Sequence, residues 1–212
     1  MKIAPAKTVG LVGAALLVGA AAVGCGSDDK GSESSSSSSS SSSSAASSSS
    51  SAASETSSAA AAAPAGDYSK LLLKASDIDP SFVASDPQIN PNGVNGVVQS
   101  MTNPGKNETI VFAIVVSEDA AGALKALDSA KAELPKEVDG APQPADVGDG
   151  GNGIIATGKS PDGTKAITEV YFTQGKSLVN IEFSSEPNDP VQNETALAIA
   201  KMQDTQVKNN LS

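Results

Sequence analysis

The sequence predicts an α+β fold: a twisted, mainly antiparallel sheet of about five strands packed with helices in the order α-β-β-α-β-β-β-α, preceded by a disordered tether. Three observations predict it. Only residues 67–212, close to the usual size of one domain, mix apolar and polar residues as a core requires. Within that stretch some segments repeat apolar residues at three- and four-residue spacing, whereas others alternate or run continuously apolar. Short turn sequences of the hairpin kind join the last three strand-like segments.

Residues 1–24 read as an export signal. Lys2 and Lys7 form a positive start, and residues 9–23, VGLVGAALLVGAAAV, are uncharged, apolar and small. The run is short and glycine-rich for a spanning helix, which needs about 20 predominantly apolar residues. Gly26, Ser27, Asp28 and Asp29 follow it in place of a positive stop-transfer cluster. The ending Ala22-Val23-Gly24-Cys25 resembles a bacterial lipobox, with Ala22 where leucine is more usual. The resemblance implies a diacylglyceryl group on the Cys25 thiol, cleavage between Gly24 and Cys25, and a protein held by its lipid on the outer side of the bacterial cell membrane. Cys25 is the only cysteine of the chain. Two or three acyl chains anchor durably where one binds marginally.

Residues 25–66 follow as a linker. Residues 32–63 are almost wholly serine and alanine, and Pro64 and Gly66 close the segment. No apolar stripe is present to pack, and serine competes for backbone hydrogen bonds, so a flexible coil is expected. About 40 such residues span roughly 35 Å on average and on the order of 130 Å when pulled straight.

The domain occupies residues 67–212. Residues 68–78, YSKLLLKASDI, read as a short helix or turn that buries Leu71, Leu72 and Leu73. Prolines and Asn-Gly pairs then punctuate a loop-rich stretch with room for a strand near residues 94–101. Residues 109–117, TIVFAIVVS, are apolar on both faces and predict a central strand covered on each side. Glu118-Asp119 opens a helix whose inner stripe is Ala120, Ala123, Leu124, Leu127, Ala130 and Leu134, and Pro135 stops it. Residues 140–153 are too rich in glycine and proline for a regular element.

Strands follow at residues 154–158, 166–173 and 177–184. In the last, Val179, Ile181 and Phe183 alternate with Asn180, Glu182 and Ser184, so one face is core and the other meets water or a ligand. The closing helix is expected over residues 190–208, with Asp189 as cap, Pro190 in first position and Gln192 completing a capping box. Its inner stripe is Ala196, Ile199, Ala200, Gln203 and Val207.

Composition excludes several function classes. The net charge is -10 and arginine is absent, so no basic patch can replace the counterions of a nucleic acid. Without histidine or a second cysteine, Ser-His-Asp, Cys-His and zinc-thiolate sites are unavailable, and no cofactor or metal is expected. The loop Asp146-Val-Gly-Asp149-Gly-Gly-Asn152-Gly153 suits neither an EF-hand nor a P-loop. A carboxylate-based hydrolase built from Asp77, Asp79, Glu169 or Glu182 is one alternative.

Residues 119–134, DAAGALKALDSAKAEL, after an apolar strand, the VGDGG loop, and VNIEFSS leading into NDPVQNETALAIAKM together resemble the extracytoplasmic domains of mycobacterial and related actinobacterial lipoproteins. Two groups share the pattern: the PknH-type sensor domains, and the LpqN/LpqT group with its Mog1/PsbP-like α-β-α fold. The PknH-type domains usually carry paired cysteines. This chain lacks them, so their ligand geometry is not carried over.

The expected function is a membrane-anchored, non-catalytic domain that binds a small molecule, an envelope lipid or glycan, or an exported protein. Its candidate recognition surface is the polar sheet face of Glu169, Tyr171, Asn180 and Glu182 beside the loop at Asp149. A structural or accessory protein acting only through protein partners is the other alternative. An apolar cavity between sheet and helices would favour a ligand carrier, and a flat exposed patch a protein partner.

Overall fold

A computed structural model describes residues 66–211 of the chain. The signal, Gly24, Cys25 and almost all of the linker lie outside the described residues. Five long strands form the body of the sheet: β3 (Gly96–Asn103), β4 (Glu108–Val116), β6 (Gly153–Lys159), β7 (Ala166–Gln174) and β8 (Ser177–Ser185). Three short ones extend its edges, namely β1 (Val83–Ala84), β2 (Gln88–Ile89) and β5 (Gln143–Ala145). The sheet therefore has eight strands rather than about five. The additions are two or three residues long, too short to show a period, and β5 holds Pro144 where an edge tolerates it.

Every pairing is antiparallel, in the order β1-β3-β4-β8-β7-β6-β5, with β2 also paired to β3. The helices are α1 (Ala75–Ile78), α2 (Ala120–Glu133) and α3 (Asn193–Asn210).

One face of the sheet carries the main core. Phe112, Phe172, Ile181 and Phe183 are buried there under α3 and the leucines at 71–73. Each such side chain contributes about 1.5–3 kcal/mol on burial. The inner stripe of α3 is the expected one, Ala196, Ile199, Ala200, Gln203 and Val207. The helix nevertheless starts at Asn193, later than expected, with Gln192 as an N-cap residue that makes no side-chain cap bond. Asp189 and Pro190 serve a turn instead: Ser185 Oγ donates to the Asp189 carbonyl at 2.6 Å, and Thr168 Oγ1 to the Val191 carbonyl at 3.1 Å.

The opposite face is covered by α2, capped by Asp119, whose Oδ1 accepts the Gly122 amide at 2.7 Å. Leu127, Ala130, Leu134 and Val138 pack on Ala156, Ile167, Tyr171 and Leu178. Leu124 departs from the expected stripe and is 47 % exposed, and Ala120 is exposed too. The helix is narrower in its buried arc than the spacing implied, because it lies on β7 and β8 rather than across the whole sheet. For the same reason β4, although central, is not sealed on both sides: Val111 and Ala113 remain half-buried. The strand buried on both faces is β7, sandwiched between α2 and α3.

Candidate functional site

Four of the five expected recognition residues come together. Antiparallel register sets Glu169 opposite Glu182 and Tyr171 opposite Asn180 on the α2 side of the sheet. Asn180 Nδ2 donates to Glu169 Oε2 at 2.6 Å, and the Tyr171 hydroxyl donates to Glu137 Oε2 at 2.7 Å. Glu137 follows the 3₁₀ turn Leu134–Lys136 that ends α2. This roof leaves Glu169 only 3 % and Tyr171 6 % exposed. The expectation of an open polar face is corrected for Glu169 and Tyr171, while Asn180 and Glu182 stay half-buried: strand alternation reveals which residues share a face, but not what covers it.

Burial, with the Glu182 charge beside it, pushes the Glu169 carboxyl well above the usual carboxylate range. Burial and then Glu137 push Glu182 in the same direction. The Tyr171 phenol is also raised, by burial first and by Glu169 second. In this polar layer Glu169 and Tyr171 are buried, Asn180 and Glu182 are half-buried, and burial works against the charged forms of Glu169 and Glu182.

Asp149 is elsewhere. It begins the turn Asp149–Gly151 and its Oδ2 accepts the Gly175 amide at 2.6 Å, tying that loop to the β7–β8 hairpin. Beside it Asn152 both donates to Thr173 Oγ1 at 2.6 Å and accepts the Thr173 amide at 3.2 Å. The glycine-rich loop thus acts as a latch. Among the described residues no group of three or more Asp, Glu, Cys or His side chains is arranged to hold a metal ion, and no helix is long and apolar enough to cross a membrane.

The concave site lies on the α3 side, at the end of the sheet where β3 turns into β4. After the buried leucines the chain forms α1, whose first amides are met by Asp77: its Oδ2 accepts the Lys74 amide at 3.1 Å. Asp79 then receives both the amide and the hydroxyl of Ser81, at 2.8 and 2.7 Å, which turns the chain back toward β1. This path holds Ile78 and Phe82 away from α3. The groove left between them has a volume of about 330 Å³. Its floor is Ile110, Phe183 and Ile199, all buried. Ile78, Phe82 and Val191 form half-buried walls, and Met202 is an exposed lip.

The mouth of the groove is polar, lined by Asp77, Asp79, Lys106 and Glu108. Glu108 and Thr109 also line a neighbouring open hollow of about 550 Å³, where Asn103, Asn107, Thr164 and Ser185 supply amides and hydroxyls. An apolar trough therefore adjoins a hydrogen-bonding surface. Such a pairing holds an apolar body by burial and orients it through a few polar groups.

Sequence reasoning noted Asp77 and Asp79 only as carboxylates and missed the apolar lining. Phe82 lies in a short segment between Pro80 and Pro87, and Met202 sits one position before the inner stripe residue Gln203. Neither carries a periodic signal. Of the carboxylates weighed for a hydrolase, Asp77 and Asp79 line this groove, while Glu169 and Glu182 lie on the other face of the sheet.

No family model and no curated protein matches the chain. Among solved structures, the extracellular domain of PknH from Mycobacterium tuberculosis is similar over 66 % of this chain and 95 % of that chain, with 14 % identity and a TM-score of 0.43. At that level of likeness nothing is carried from it to this chain.

Proposed function

We propose that this chain is a lipid-anchored, extracytoplasmic binding protein, and that its folded domain holds a small ligand with an apolar portion in the groove between α1 and α3. The observation that carries the ligand reading is the groove itself, a trough walled by half-buried Ile78, Phe82 and Val191 and exposed Met202 directly over the core residues Phe183 and Ile199. At about 330 Å³ it falls at the small end of ligand sites, which span roughly 300–1,000 Å³. The reading keeps to a non-catalytic domain, in which Asp77 and Asp79 each brace a local turn through one carboxylate oxygen. The anchor and location rest on the lipobox-like Ala22-Val23-Gly24-Cys25 and the apolar run before it.

Native mass spectrometry tests the ligand reading, applied to residues 25–212 carrying Cys25→Ser and purified from the native host. A reproducible adduct that Met202→Ser weakens is expected. Its absence, or an adduct indifferent to Met202→Ser, refutes the groove as the site. The anchor is tested by labelling cells with a fatty acid, where wild type incorporates label and Cys25→Ser does not. Equal labelling refutes it.

A further inference from the structure

The mouth of the groove is unevenly charged. Three carboxylates, Asp77, Asp79 and Glu108, face one ammonium, Lys106. Among the described residues neither the Glu108 nor the Lys106 side chain makes a salt bridge or a side-chain hydrogen bond. Asp77 and Asp79 each engage backbone or hydroxyl donors through one oxygen, Oδ2 and Oδ1 respectively, which leaves the second oxygen of each without a hydrogen bond. The paired donors of Ser81, with the Lys106 charge nearby, keep the Asp79 carboxyl below the usual carboxylate range, so Lys106 offsets part of the negative charge at the mouth. Acceptors thus surround the opening, and beneath it lies an apolar floor.

We propose that the groove takes an aliphatic chain bearing a cationic amine, with the chain on Phe82, Phe183, Ile199 and Met202 and the ammonium among Asp77, Asp79 and Glu108. The proposal rests on the groove being a binding site. Charge decides between head groups. An ammonium among these carboxylates gains a Coulomb attraction that a neutral head group lacks. An anionic head would instead meet three like charges with only Lys106 to offset them, on a chain whose net charge is already -10. A neutral hydroxyl would gain hydrogen bonds but no ion pair. The apolar portion supplies affinity through burial.

The test titrates residues 25–212 carrying Cys25→Ser with decylamine, decanol and decanoate, each below its aggregation limit, by calorimetry at low and at high salt. Decylamine is expected to bind about tenfold or more tighter than decanol, a difference of about 1.4 kcal/mol, with decanoate weakest. Added salt should weaken decylamine and spare decanol. Glu108→Gln should lower decylamine affinity several-fold and leave decanol unchanged, whereas Met202→Ser should weaken both. Equal binding of all three probes, or tighter binding of decanoate, overturns the charge assignment while the groove stands as a site. If no probe binds, the groove reading itself falls. If Glu108→Gln affects decylamine and decanol alike, or neither, the ammonium position is wrong.

Discussion

Gln203 and Leu71 are joined across 132 residues of sequence by a bond that neither end of the chain could make alone. The amide of Gln203 is fully buried on α3, and its Nε2 donates to the Leu71 carbonyl at 2.5 Å. Its Oε1 accepts the Leu73 amide at 3.2 Å. One side chain therefore satisfies a donor and an acceptor of a backbone segment that belongs to no strand, and does so inside the main core.

Gln203→Leu, close in volume but without the amide, leaves both backbone groups buried and unpaired. Each such group costs about 1–3 kcal/mol. A loss of about 3 kcal/mol is expected from urea unfolding followed by circular dichroism. A loss below about 0.5 kcal/mol would show that water reaches the segment.

Glu169 predicts a pH dependence. Its carboxyl is raised in the folded protein, so between the ordinary glutamate value of 4.5 and that raised value the unfolded chain has lost the proton and the folded one has kept it. Folding is then opposed, and more strongly as pH climbs through that window. The contribution of this group to stability is expected to fall as pH rises above the ordinary glutamate value of 4.5, and Glu169→Gln should flatten the slope. At neutral pH the variant should be more stable than wild type by on the order of 1–3 kcal/mol, since it keeps an acceptor for Asn180 and needs no bound proton to stay neutral. Thermal melts of both proteins across pH would reveal parallel curves if the idea is wrong.

Two leucines of α2 separate its buried and open sides. Leu127 is sealed against the sheet, and Leu127→Ala should cost about 2–5 kcal/mol. Leu124→Lys should change stability by less than about 0.5 kcal/mol and improve solubility. A large loss at position 124 would contradict the placement of the helix.

Gly148 and Gly163 form a matched pair of turn positions. Both have positive φ, 81° and 68°, yet a Cβ at Gly148 would stand 2.6 Å from the Thr173 carbonyl oxygen, whereas one at Gly163 meets nothing within 4 Å. Gly163→Ala should cost about 1–2 kcal/mol, the ordinary left-handed penalty. Gly148→Ala should cost clearly more and loosen the latch of Asn152 on Thr173. Hydrogen exchange at the Thr173 amide reads the second effect.

These sites divide by what a linear pattern can carry. The five long strands, the burial of Leu71, Leu72 and Leu73, and the inner stripe of α3 were legible because each repeats over several residues. Strands β1, β2 and β5 were not, being shorter than the period that would betray them. The Asp189-Pro190 pair misled because its cap-like chemistry was spent on a turn held by Ser185. In the polar face, register brought Glu169, Tyr171, Asn180 and Glu182 together as alternation implied, but Glu137 closes over Tyr171 from 34 residues away. The groove escaped detection for the same cause: Phe82, Ile110, Phe183 and Met202 come from four separate elements or loops, and only the fold makes them neighbours.

The seating of residues 71–73 also fixes how the domain bears load. A pull arriving from residue 65 passes Gly66 and reaches Lys70, whose carbonyl accepts Gln206 Nε2 at 2.8 Å, then the two bonds to Gln203 and three buried leucines. Residues 70–73 are tied to α3 at Gln203 and Gln206, about one turn apart on the helix. A pull on residue 66 would therefore be felt first by α3 and the main core beneath it.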